Sequence, residues 1–230
     1  MKKINLKITN LSYSYPGSSD LVLKPFSQEA HPGEVIGIIG KNGVGKSTLI
    51  RLLSGILQPL TGNIKIDEND SQNVDKRRDY LVNIQYLSND RVLPGNMTIE
   101  EYFHSYKLLY PNYSNQIEFD LINKFEFKMD TLISELSTGN KMKVFFIFAI
   151  ASQSPFVFID EVTAVLDPEN REDFFELINT YKCRGQSFLV ATNIVDDLEG
   201  IADKVWFIQR GQLTQIESAN LKEQFKKKVA

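Results

Sequence analysis

The sequence predicts an α/β fold built on a mainly parallel sheet, and three stretches carry that prediction. The first is Gly40-Lys41-Asn42-Gly43-Val44-Gly45-Lys46-Ser47-Thr48, set between an apolar run, Glu34 to Ile39, and an amphipathic run, Leu49 to Leu57. The second is Phe156-Val157-Phe158-Ile159, a continuous apolar run that ends in Asp160-Glu161. Such a run is a strand buried on both faces of a parallel sheet, and it delivers its two acids to the carboxyl edge, where ligands bind. The third is the span from Thr98 to Asp130, aromatic-rich, broken by Pro111 and free of β-alternation. It predicts a small helical lobe inserted into the α/β core.

Taken in order, Ile4, Leu6 and Ile8 alternate with polar residues as a strand exposed on one face does, and Tyr13, Tyr15 and the Pro16-Gly17 turn follow. Pro32-Gly33 is a second turn, leading into the strand Glu34 to Ile39. Thr61-Gly62 closes the helix region after the glycine-rich stretch, and Asn63 to Asp67 reads as a short alternating strand. The charged span Asp67 to Arg78 reads as a solvated surface connection, and Leu81 to Leu87 as a further strand ending at Ser88-Asn89-Asp90. Thr98 opens a helix whose first turn, Ile99-Glu100-Glu101, suits both an N-cap and the helix dipole. A helix over Met142 to Ala151 comes before the Ser154-Pro155 break. Beyond the Asp160-Glu161 pair, Asp167-Pro168 introduces an acidic helix through Thr180. Phe188 to Ala191 is the next buried strand. Val205 to Ile208 and Leu213 to Ile216 finish the sheet around a Gly211 turn, and Asn220 to Ala230 is a basic helical tail with a solvated lysine face. The boundaries are a core over 1–90 and 154–216, a helical lobe over about 91–153 and a tail over 217–230.

Composition bounds the function. With 230 residues the chain can bury a substantial core, and 42% hydrophobic with 24% charged residues is ordinary for a soluble globular protein. A net charge of −3 gives no electrostatic case for nucleic acid. The lone Cys183 excludes an internal disulfide framework and fits a reducing cytoplasm, and His31 and His104 offer no metal spacing. The basic start, Met1-Lys2-Lys3, precedes alternating residues rather than an apolar core, so it is not a signal peptide. Val144 to Ala151, the longest apolar run, is far short of the roughly 20 residues needed to span a bilayer.

The glycine-rich stretch matches G-x-x-x-x-G-K-[ST] in the strand-to-helix context that gives this pattern physical meaning. Gly40, Gly43 and Gly45 let successive N–H groups turn inward toward phosphate oxygens, reinforced by the positive end of the following helix. Lys46 neutralises the β- and γ-phosphates, and Ser47 carries the hydroxyl expected on Mg2+. The alternative, a glycine-rich turn matching by chance, leaves the flanking strand and helix unexplained.

With this loop, a helical insertion, Leu136-Ser137-Thr138-Gly139 before a helix, and Phe156-Val157-Phe158-Ile159-Asp160-Glu161 in that order, the chain resembles the nucleotide-binding domain of ATP-binding cassette (ABC) proteins from about Ile4 to Gln215. The resemblance implies a phosphate-loop NTPase of ABC type: a mainly parallel core sheet, an N-terminal antiparallel β subdomain and an inserted α-helical lobe. It implies ATP contacts at Tyr15, Gly40, Asn42, Gly43, Gly45, Lys46, Ser47 and Thr48, with Tyr15 stacking on adenine. The plainer role for Tyr15 is packing at a strand end. Metal positions are Ser47, Asp160 and Asn89. Glu161 looks like the general base, and Asn193 stands in the switch loop as the second catalytic position. Family members sandwich ATP between two such domains, so Ser137 and Gly139 would meet the γ-phosphate of a partner cassette and Asp167 would cross the interface.

Four positions depart from the family pattern. Thr138 and Asn140 alter the usual Leu-Ser-Gly-Gly-Gln, Asn89 replaces Gln, and Asn193 replaces the switch His; in addition Val162 stands where Pro is common after the acid pair. Asn193 can donate a hydrogen bond but cannot relay a proton, so slow or partner-dependent turnover is expected. The function implied is the ATPase subunit of an ABC transporter, with export expected from likeness to compact exporter cassettes and from the absence of an added C-terminal domain. A separately encoded permease would hold it at the inner face of the membrane by docking between Asn89 and the aromatic-rich Tyr102 to Tyr113. A nucleotide-sensing subunit with little hydrolysis, and a soluble ABC ATPase acting on ribosomes or DNA, are the alternatives.

Overall fold

The structure, a computed structural model, describes residues 4–90, 94–218 and 221. The expected basic tail therefore lies outside the described residues except for Leu221, as do the first residues of the expected lobe.

Two antiparallel strands, β1 (Leu6–Tyr13) and β2 (Leu23–Ala30), open the chain and lead to β3 (Val35–Ile39). The alternation in β1 buries Leu6 and Ile8, then shifts so that Leu11 and Tyr13 stay inside. A register shift after Ile8, with Asn10 at φ 46, accounts for the change of phase. Helix α1 (Lys46–Leu53) follows, then β4 (Thr61–Ile66), β5 (Asn69–Asp70), α2 (Arg77–Leu81) and β6 (Ile84–Ser88). A four-stranded sheet in the order β2-β1-β4-β5, antiparallel at every described pairing, forms from these strands.

Between β6 and β7 the described chain is helical: α3 (Ile99–Lys107), α4 (Asn115–Lys124), a short 3-10 turn (Ile133–Glu135) and α5 (Thr138–Ala151). Then come β7 (Phe156–Asp160), α6 (Pro168–Lys182), β8 (Ser187–Ala191), β9 (Lys204–Gln209) and β10 (Gln212–Ile216). The larger sheet runs β10-β9-β3-β8-β7-β6, parallel throughout except for the β9–β10 hairpin. The mainly parallel sheet and the antiparallel N-terminal sheet are thus both present.

Strand periodicity divides the core of this sheet between its faces. Ile36, Ile38, Phe156, Phe158, Leu189 and Trp206 pack with α1 and the small sheet. Their neighbours Val35, Ile39, Val157, Ile159, Phe188 and Phe207 pack with α5 and α6. Both sets are buried, and fully burying each such side chain is worth about 1.5–3 kcal/mol. That is why these strands read as unbroken apolar runs.

Two expectations are corrected. The charged span after Asp67 is not wholly a connection, since it contains β5 and the start of α2. Helix α2 takes Leu81, so the strand expected from Leu81 begins only at Ile84. Tyr80 is the reason: fully buried, it donates its hydroxyl to the Leu53 carbonyl at 2.5 Å and anchors the helix against α1.

Candidate functional site

The phosphate loop leaves β3 at its carboxyl end and enters α1 at Lys46. Gly45 caps the helix at φ 113, a backbone conformation that disfavours a side chain. A Cβ on Gly40 would lie 2.5 Å from the Ile208 carbonyl oxygen, so the loop and β9 approach too closely for any other residue. Lys46 is 3% exposed. Its ammonium donates to the carbonyls of Gly40 at 3.1 Å and Lys41 at 3.4 Å, and lies 3.6 Å from Glu161 Oε1. One buried cation is therefore held at the centre of the loop, and the carboxylate of Glu161, the residue after β7, faces it.

Asp160 ends β7 beside Ser88 of β6 and Ala191 of β8. Its carboxylate, 4% exposed, accepts a hydrogen bond from Ser47 Oγ at 2.8 Å. Burial raises its pKa above the ordinary carboxylate value, and the Ser47 bond opposes that rise. Glu161 turns out of the sheet in the left-handed region, φ 53, and its N–H still donates to the Ala191 carbonyl at 2.9 Å. The turn leaves its side chain half-exposed and facing Lys46.

Several other predicted positions gather around this centre. Tyr15 is exposed, stacks edge-on against Tyr13, and shares a 3.0 Å hydrogen bond with the buried Thr48 hydroxyl. Its ring thus stands at the rim of the loop, tied to α1 by its hydroxyl. Asn42 and Asn193, both exposed, meet at 3.5 Å through Asn193 Nδ2 and Asn42 Oδ1, and this contact brings the switch loop after β8 against the phosphate loop. Gly43 forms the exposed tip between Asn42 and Val44.

Four positions are not joined to the centre. Asn89 is exposed in the turn after β6 and makes no described hydrogen bond to Ser47 or Asp160. Ser137, the N-cap of α5, accepts from the Asn140 N–H at 3.2 Å, and Gly139 packs near Asn170 and Asp167. Asp167 itself caps α6, accepting from the Asn170 N–H at 2.9 Å and its side-chain amide at 2.6 Å. These bonds hold the Asp167 carboxyl below its ordinary pKa. Ser137 and Gly139 thus make their described contacts within α5 and with the α6 cap rather than with Lys46, and Ser137 and Thr138 are exposed.

Sequence reading missed a buried polar group at the strand ends. Thr163, Thr192 and Asp197 are hydrogen-bonded to one another, and Asp197 is paired with Arg171. Their only signal is polar residues at a few positions past Asp160 and Ala191, which mean nothing until β7 and β8 are known to be neighbours. A groove of about 920 Å³ also opens between core and helices, lined among others by Arg51, Arg78, Leu81, Tyr102, Tyr106 and Leu109. Much of the expected aromatic dock is interior: Tyr102 is buried against Tyr106, Phe145 and Phe148.

A phosphate-binding loop, an Asp-Glu pair at the parallel sheet edge and helices inserted before the paired strand define a nucleotide-binding domain of the cassette type, and the family model described as "ABC transporter" matches residues 23–164. The chain belongs to this family, whose ATPase domain binds ATP. It is 26% identical to the ABC transporter ATP-binding protein YtrB of Bacillus subtilis, over 96% of this chain and 74% of that protein. With the energy-coupling factor transporter ATP-binding protein EcfA1 of Streptococcus sanguinis it shares 31% identity over 90% of this chain and 77% of the relative. A solved structure described as the ATP binding subunit of an ABC transporter superposes with a TM-score of 0.85 at 26% identity, covering 98% of this chain and 95% of that one.

Proposed function

We propose that this chain is an ATP-hydrolysing subunit that pairs with a second cassette around ATP and drives a separately encoded membrane permease. The observation that carries this reading is Lys46, buried in the loop and facing Glu161, beside the Ser47–Asp160 bond. In that reading Lys46 neutralises the β- and γ-phosphates while the loop amides of Gly40 to Thr48 cradle them. Tyr15 stacks on the adenine. Glu161 leaves Lys46 for the attacking water, which it orients and polarises, and Asn193 donates its amide to the γ-phosphate.

Ser47 and Asp160 fit Mg2+, because a buried carboxylate beside a hydroxyl supplies hard oxygen donors to an ion that keeps several waters and takes the rest from phosphate. Among the described residues no group of three His, Cys, Asp or Glu side chains is placed to hold a metal alone, so the nucleotide must complete the site. Bound there, Mg2+ would offset charge on the phosphate oxygens. Asn89 would join this set only if the turn after β6 moves toward Asp160.

Ser137 and Thr138 are exposed at the α5 N-terminus, the surface a second cassette would offer to a γ-phosphate held by the loop. No helix among the described residues is long and apolar enough to cross a membrane, which supports a separate permease. Neither curated relative's name gives a direction of transport, and no residue of the site selects export, so direction is assigned to the permease. The Asn193 substitution favours a second reading, a nucleotide sensor with little turnover.

Steady-state phosphate release, measured with and without the membrane partner, separates the two. Glu161→Gln is expected to lower release by about a hundredfold or more at unchanged ATP affinity. Absence of release from the native protein in both conditions would overturn the hydrolytic reading in favour of the sensor.

A further inference from the structure

Past the last paired residues of β7 and β8, Asp160 and Ala191, and the Glu161–Ala191 backbone bond, side chains take over the joining of the two strands. Asp197 lies in the 3-10 turn Val195–Leu198 with its side chain 2% exposed. Its Oδ2 accepts from Thr163 Oγ1 at 2.6 Å and from Thr192 Oγ1 at 3.2 Å, and its Oδ1 is paired with Arg171 Nη2. The Thr192 hydroxyl in turn accepts from the Ile194 N–H at 3.0 Å. A single carboxylate thus binds four segments: the turn Val162–Val165, the residue after β8, helix α6 and its own turn.

A buried charge is tolerated only when paired and hydrogen-bonded, and here both oxygens are satisfied. The low-dielectric surroundings make each of these bonds geometrically demanding, so the four segments are fixed relative to one another. What they carry is the site. Glu161 lies two residues before Thr163, and Asn193 directly follows Thr192. Glu161 is also held at φ 53, a conformation disfavoured for a residue with a side chain, which the surrounding structure has to maintain.

We propose that Asp197 is a positioning residue that sets the spacing between Glu161 and Asn193, so that the two sides of the phosphate site are held, and moved, together. The proposal rests on the reading of Glu161 and Asn193 as groups acting on the γ-phosphate; Asp197 itself touches neither nucleotide nor water. Through Arg171 the same carboxylate reaches α6, whose cap Asp167 lies beside Gly139. A displacement of α6 at a cassette interface would therefore be passed to both loops at once.

Thr163→Val tests this with little change of shape, because it removes one donor to Asp197 and leaves the Arg171 pair in place. The expected result is a kcat for ATP lowered about tenfold with KM within twofold of native, restored by Thr163→Ser. Asp197→Asn, which keeps volume but not charge, is expected to give a larger loss; if it does not fold, the Thr163 pair still decides. Turnover within threefold of native in Thr163→Val overturns the proposal. A readout independent of hydrolysis is amide hydrogen exchange in the nucleotide-free protein. Thr163→Val should speed exchange in 161–166 and in 192–196 together, and a change confined to 161–166 would sink the coupling. Should Glu161→Gln leave hydrolysis untouched while both segments still loosen together, the hydrolytic reading fails and the coupling stands.

Discussion

At the scale of single residues, Asp160 shows how a site is built at the expense of the unliganded protein. Its carboxylate is buried, with a hydroxyl as its hydrogen-bond partner and the Arg51 charge acting only more weakly. Burial therefore holds its pKa up, and the folded chain binds the proton more tightly than the unfolded one. The sign follows: the contribution of Asp160 favours the folded state at low pH and is lost as pH rises from the ordinary Asp range, about 3.9, through the raised folded value. Asp160→Asn removes that burden. Without nucleotide its melting midpoint is expected to equal or exceed the native one at pH 7 and to depend less on pH. The extra stabilisation that Mg2+ adds to bound ATP should disappear. A native-like Mg2+ increment in scanning calorimetry of Asp160→Asn would remove Asp160 from the metal set.

At the scale of elements, legibility followed how local the determinants are. Helix α3 is readable because its start is written in four consecutive residues: Thr98 accepts from the Glu101 N–H at 3.1 Å, and Glu101 accepts from the Thr98 N–H at 2.9 Å. This capping box satisfies two otherwise orphaned donors, and Thr98→Ala should cost about 1 kcal/mol. For a chain of this length that is a fall of roughly 2–4 °C in melting midpoint, measurable by thermal denaturation, whereas an unchanged midpoint would mean that packing alone holds α3. Strands β3, β7 and β8 are readable for a related reason, since burial on both faces leaves no polar residue to interrupt them. Helix α2 is not readable, because its five residues include Arg77, Arg78 and Asp79, and what ties it down is remote in sequence: the buried Tyr80 on the Leu53 carbonyl and Arg77 on the Gly55 carbonyl. Nor is β2, where the register shifts in its pairing with β1 space Leu23, Phe26 and Ala30 irregularly. The loop and the acid pair could be read from local sequence, and the Tyr15 position only through the family resemblance. The Lys46–Glu161 pair and the Asp197 group could not, because sheet order brings together residues more than a hundred positions apart in the first and about thirty in the second.

At the scale of the whole molecule, the groove between core and helices is where the proposed permease would dock. Leu81 comes from α2, while Leu109 follows α3 and Ile56 follows α1; all line the groove and are exposed. Apolar side chains gathered on a concave wall, with Arg77 and Arg78 among the other lining residues and Arg51 already paired with Asp90, suit an amphipathic helix that carries an acidic residue near Arg78. A short cytoplasmic helix of the permease would bury these side chains, each worth roughly 1.5–3 kcal/mol if fully covered. Because none of the three belongs to the phosphate site, charging them separates docking from hydrolysis. The double variant Ile56→Glu with Leu109→Glu should keep phosphate release of the isolated chain within twofold and its melting midpoint within a few degrees. Its retention on membranes that contain the permease should fall at least tenfold, since losing even one such contact exceeds the 1.4 kcal/mol that a factor of ten represents. Adding Arg78→Glu should lower retention further by repelling the acidic residue. Full retention of the triple variant would show that the permease docks elsewhere, while a parallel loss of phosphate release in the isolated chain would mean that the groove supports the site itself.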